Sequence, residues 1–200
     1  MTKTSSLGFT LIELLVVVTI IGLLSGIGIS SFASSIQRTR DTQRISNLKE
    51  IETALKRYFL DNGKFPPVTA NAGSPGGWEV SFLGPFIESL DPYFENGTPV
   101  DPLNTVANPI DMFFTPRPDD GSFFYMYYNY PTSLRYGCDF DGPFSIIGLR
   151  ALENGNPSSL PQAFCDNRTT PSFDTCPRGG ILNECRYWAK EFDYSLMLRK

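Results

Sequence analysis

The stretch Phe9–Ile29 reads FTLIELLVVVTIIGLLSGIGI, 21 residues in which Glu13 is the one charged side chain. As a helix it spans roughly 30 Å, the thickness of a bilayer core. Ahead of it stands MTKTSSLG, a short polar leader with a single cation, Lys3. A secretory signal would have a shorter apolar core followed by an Ala-x-Ala-like site, and this run has neither feature. A plain single-pass anchor accounts for the hydrophobicity but not for Glu13. An ionised carboxylate within such a span costs roughly 2.5–3.5 kcal/mol, so it needs a partner or a shallow position. A place near the helix N-terminus gives it some help from the macrodipole and the free amides. A cut after Gly8 would give it more. Phe9 would then carry an α-ammonium one helical turn from Glu13, and the pair could bridge two neighbouring helices.

The run Gly8-Phe9-Thr10-Leu11-Ile12-Glu13-Leu14-Leu15-Val16-Val17 resembles the cleavage and methylation motif of type IV pilins and type II secretion pseudopilins. The resemblance implies cleavage between Gly8 and Phe9 by a prepilin peptidase, and N-methylation of Phe9. It also implies an assembly salt bridge between Glu13 and the Phe9 amine of a neighbouring copy. Loss of the leader with Lys3 would take the net charge from −4 to −5. Many relatives carry a proline near the end of the apolar run, where this chain has Ile29-Ser30-Ser31. It has Gly22, Gly26 and Gly28 instead, each costing about 1 kcal/mol of helix relative to Ala. Those glycines suit close helix packing and a segment able to melt and stretch. Arg38, Arg40 and Arg44 beyond the span would, by a charge count alone, keep the C-terminal part in the cytoplasm. Cysteine usage and the resemblance point the other way, to a single-pass precursor in the inner (cytoplasmic) membrane and then a periplasmic or extracellular filament.

After Ser35 the pattern turns amphipathic. Ile45, Leu48, Ile51, Ala54, Leu55, Tyr58 and Phe59 form one stripe, and Arg38, Arg40, Asp41, Arg44, Lys49, Glu50, Lys56 and Arg57 fill the remaining face, for solvent or for neighbouring subunits. Asp61-Asn62-Gly63 supplies the stop. The spacing predicts one helix over Phe9–Leu60, 52 residues and roughly 78 Å. The expected organisation is a leader at 1–8, a membrane and filament-core helix at 9–35, its amphipathic continuation at 36–62, and a β-rich head at 63–200.

All 16 prolines lie at or beyond Pro66. Between turn formers, three stretches read as strands: Phe123–Tyr130, Phe144–Arg150 and Phe192–Leu198. An antiparallel sheet laid on the amphipathic helix buries both apolar faces, so the fold class is α+β and pilin-like, a long N-terminal helix packed against a C-terminal antiparallel β-sheet. Residues 64–120 and 151–180 read as long proline-rich connections ordered by packing. The aromatics of 123–130 are expected to face the core on one side and a partner on the other. No basic patch beyond Arg117 and Arg135 accompanies them, so no nucleic-acid site is marked.

The head holds four cysteines, Cys138, Cys165, Cys176 and Cys185. An even number outside the cytoplasm implies disulfides, with three possible pairings. Nearness along the chain favours Cys138–Cys165 with Cys176–Cys185. Zinc is disfavoured, since the spacings contain no Cys-x-x-Cys. The absence of histidine among the 200 residues removes Ser-His-Asp and Cys-His catalysis and the commonest general base. Asp139, Asp141 and Gly142 resemble a fragment of a calcium loop, but calcium needs six to eight oxygens, so no cofactor is expected.

The reading is therefore a structural filament subunit rather than an enzyme. Its expected partners are other pilin copies in homo- or hetero-oligomers, the membrane before assembly, a prepilin peptidase and a filament assembly platform. A type II secretion pseudopilin is the alternative within the same superfamily. From a different class, a membrane-anchored hydrolase or carbohydrate-binding domain could draw on Asp119/Asp120 or Asp139/Asp141, though nothing fixes a cleft between those pairs.

Overall fold

Helix α1 runs Leu11–Asn62 in the computed structural model, which describes residues 8–68, 77–107, 121–133, 136, 138–155, 160–166, 185–188 and 191–200. For residues 27–31, 164, 166 and 185–187 only the backbone is described. The helix has the expected 52 residues, displaced by two toward the C-terminus because Thr10 takes the N-cap in an extended conformation. At the other end Gly63 adopts the left-handed conformation (φ 69°) and its N–H donates to the Phe59 carbonyl at 2.8 Å. A side chain there would be strained, which is why a glycine closes the helix.

The two halves of α1 differ in what they touch. Side chains from Leu11 to Leu24 stand in the open, whereas from Asp41 onward buried positions recur at Arg44, Leu48, Ile51, Ala54 and Leu55. Among the described residues no helix is long and apolar enough to cross a membrane. The end of the apolar run, 27–31, contributes no described side chains. Asp41 and Arg44, expected on the face for solvent or neighbours, are buried within the chain itself. Binary patterning misplaces them because a charge that finds its partners on a distant loop satisfies burial without being apolar.

Four strands form an antiparallel sheet in the order β1-β2-β3-β6, with β1 at Gly77–Val80, β2 at Tyr125–Tyr130, β3 at Phe144–Leu149 and β6 at Tyr194–Arg199. Register sets Trp78 opposite Tyr128, Tyr127 opposite Ile147, and Ile147 opposite Leu196. A second, two-stranded antiparallel sheet joins β4 (Phe164–Asp166) to β5 (Cys185–Tyr187). The three expected strands thus correspond to β2, β3 and β6. The expected connection 64–120 instead contains β1 and a 3-10 helix at Glu88–Tyr93. β4 likewise falls inside the expected connection 151–180. A four-residue segment such as GWEV, with a carboxylate in it, has little propensity of its own; its ladder to β2 holds it.

Both faces of the main sheet are covered. Tyr125, Tyr127, Ile147, Leu149, Tyr194 and Leu198 pack on Leu48, Ile51 and Leu55 of α1. The opposite face presents Phe124, Met126, Tyr128, Tyr130, Phe144 and Ile146 to Trp188, Phe192, Ala163 and Cys165. The second aromatic face, expected to meet a partner, is therefore a second core. Tyr130 stacks on Phe144 at 4.7 Å between centroids, and Trp188 closes over both. The period-2 alternation was genuine, but it separated two cores rather than core from surface.

Candidate functional site

The N-terminus of α1 is built by a reciprocal cap. The Thr10 hydroxyl accepts from the Glu13 N–H at 3.3 Å, while the Glu13 carboxylate accepts from the Thr10 N–H at 2.9 Å and from its hydroxyl at 2.6 Å. Both bonds to the carboxylate land on Oε2, so Oε1 carries neither. Two of the orphan amides that start every helix are satisfied this way. The side chain that a membrane anchor could not explain thus holds the helix start in one geometry.

The Gly8–Phe9 bond lies just upstream of this cap, outside the helix, and Phe9 is exposed. A Cβ added at Gly8 would meet nothing within 4 Å, and Gly8 is not in the left-handed region. No packing in the described chain therefore demands a glycine at that position. From Phe9 to Leu24 the large apolar side chains are 45–80% exposed, a continuous sleeve around the helix. Soluble monomers rarely expose contiguous apolar surface of this size.

A second polar constellation joins the helix to the head. Arg44 is fully buried; its Nε donates to Asp101 at 2.7 Å and its Nη1 to Asp41 at 2.8 Å and Glu153 at 2.7 Å. Its guanidinium also lies 4.7 Å from the Phe123 ring centroid. Arg40 forms a paired contact with Glu153, and Asp41 accepts the backbone N–H groups of Glu153 and Asn154 at 2.9 and 2.8 Å. The hydrogen bonds from Arg40 and then Arg44 hold the Glu153 carboxyl below its ordinary range, against the effect of burial. Burial alone would lower the Arg44 pKa, but its hydrogen bonds to the Asp101, Glu153 and Asp41 carboxylates outweigh it and raise the value. These residues form a rivet; the geometry offers no open coordination position and no nucleophile.

The remaining residues singled out from sequence are dispersed. Cys138 and Cys165 are joined by a disulfide that ties the loop before β3 to β4. The Cys176 and Cys185 side chains lie outside the description, as do Asp119 and Asp120. Asp139 stands 3.7 Å from Arg199. Among the described residues no group of three or more His, Cys, Asp or Glu side chains could hold a metal ion. Sequence reading missed both the cap and the rivet. The cap has a local signature, Thr-x-x-Glu ahead of an apolar run, that was available. The rivet joins positions 57 and 109 residues apart, so no local pattern could reveal it.

Residues 3–29 match the prokaryotic N-terminal methylation motif. The chain is 41% identical over 58 residues to a type IV major pilin of Myxococcus xanthus, covering 29% of this chain and 26% of that protein. It is 33% identical over 78 residues to the type II secretion system core protein G of Escherichia coli, covering 39% and 52%. A fimbrial protein of Neisseria meningitidis is 26% identical over 84 residues, covering 42% and 48%. The chain thus spans between a quarter and about half of the length of these relatives. No solved structure matches it.

Proposed function

We propose that this chain, which carries the N-terminal methylation motif that type IV pilins and type II secretion pseudopilins share, is the structural subunit of a type IV pilus-like filament. The observation that carries the reading is the exposed apolar sleeve from Phe9 to Leu24, which the head leaves unburied. Before assembly a bilayer covers it; after cleavage at Gly8–Phe9 the same surface of other copies replaces lipid. Apolar packing then holds the bundle, and Glu13 sets register by offering Oε1 to the methylated Phe9 amine of a neighbour. A prepilin peptidase, an assembly platform and a cell-surface or periplasmic destination belong to the same proposal. The rivet and the two cores give the head no catalytic role in it.

The similarity to core protein G keeps a secretion pseudopilin as the alternative, since the matched motif serves both families. The experiment is Glu13→Ala in the full-length protein, with membrane fractions and sheared surface material quantified side by side. Unchanged membrane content with sharply reduced filament is the expected result. Wild-type filament yield from the variant would defeat the reading.

A further inference from the structure

We infer that the heads of neighbouring copies dock edge to edge, Leu83 of one copy seating in the groove between α1 and β6 of the next. The inference rests on the filament reading and names which surfaces meet.

The strand order β1-β2-β3-β6 sets the two surfaces on opposite edges of one sheet. Three strand spacings separate them, roughly 14 Å across. On the first edge, the turn leaving β1 lifts Leu83 to 61% exposure, flanked by exposed Gly84 and Pro85. Its far end is held under strain. Ile87, buried and β-branched, sits in the left-handed region at φ 48°. The contacts that over-determine it are specific. Its N–H donates to the Glu79 carboxylate at 2.8 Å, and its carbonyl accepts from the Leu90 N–H at 2.7 Å and the Thr98 hydroxyl at 3.3 Å. Those contacts fix the end of the loop that carries the exposed leucine.

On the other edge lies a groove of about 440 Å³ lined by Phe59, Leu60, Phe65 and Leu198, with Lys56, Arg199 and Lys200 around it. Leu60 is 83% exposed at its mouth. The signs of charge match the shapes. Three cations and one carboxylate, Glu52, line the groove. Residues 81–100 carry Glu88, Asp91 and Glu95 and no Lys or Arg.

Two different patches on opposite edges make a heterologous contact, the kind that repeats from copy to copy and, where the rotation does not close a ring, generates the helical filament of the proposed function. The contact can be small because the N-terminal helices already hold the copies together, and tethered surfaces need little intrinsic affinity.

The test uses the full-length chain carrying Leu83→Cys and Leu60→Cys together, and each alone, in sheared filaments oxidised before non-reducing electrophoresis. The expected result is a ladder of dimers, trimers and higher species from the double variant, with each single variant resembling the parent. Filaments of the double variant without a ladder overturn the docking while leaving the filament reading intact, and so do covalent dimers from either single variant or its linkage to a different protein. A parent that makes no filament overturns the filament reading and the docking with it. Leu83→Arg, like-charged with the groove, is expected to lower filament yield about tenfold at unchanged membrane content, the loss of roughly one buried leucine contact. Leu83→Met retains the yield. Equal yields from the two variants overturn the docking.

Discussion

Glu13 is one side chain with two tasks. Within the chain it caps its own helix through Oε2; between chains the proposed function gives it the Phe9 amine of a neighbouring copy. Thr10 holds that carboxylate in place, so it should matter for assembly beyond the ordinary value of a cap. Thr10→Val removes the hydroxyl that bonds the carboxylate and costs about 1 kcal/mol of helix start. The expected outcome is lower filament yield at unchanged leader cleavage, with Thr10→Ser restoring the yield; both are read by immunoblot of sheared and membrane fractions. Arg44 has a single, structural task. Replacing it with Met leaves Asp41, Asp101 and Glu153 facing one another without a buried cation, and unfolding of the detergent-solubilised chain should show a loss of about 3–5 kcal/mol. Glu13 was legible in the sequence because an acid in an apolar run is conspicuous on its own. Arg44 was not, because Asp101 and Glu153, which bury it, come from loops far along the chain.

At the scale of elements, α1 is a rod in two sections, and the rivet marks where the head grips it. Gln37, Arg40, Asp41 and Arg44 all contact the loop after β3, the first tie between helix and head. That grip is sensitive to acid. The Glu153 carboxyl is held below its ordinary range in the folded chain, so its stabilisation is complete above that range and is lost as pH falls through the lowered folded value. Stability measured against pH should therefore be flat from this group near neutrality and decline on the acid side. Glu153→Gln should shallow that decline while lowering stability at pH 7. The helix and β2, β3 and β6 were readable because long periodic or aromatic runs announce themselves. β1 and β4 were not, since four- and three-residue strands exist only through their ladders. The second core has its own test at β3. A Cβ at Gly148 would lie 2.6 Å from the Phe192 ring, so Gly148→Ala should cost about 1–3 kcal/mol in the same unfolding assay.

The whole molecule divides labour between a head that is covered on both faces of its sheet and a helix whose apolar side chains from Leu11 to Leu24 are exposed among the described residues. The disulfide between Cys138 and Cys165 belongs to the head's second layer, far in sequence from the exposed apolar sleeve of α1. The proposed function completes the helix with other molecules, first lipid and then copies of the same chain. In that proposal the sequence of partners begins with a cut, which would supply the Phe9 amine for Glu13 of a neighbouring copy. The direct measurement is mass spectrometry of the N-terminal peptide from subunits in sheared filaments. The account predicts a peptide starting at Phe9 and heavier by one methyl group; filament subunits that still begin at Met1 would contradict it.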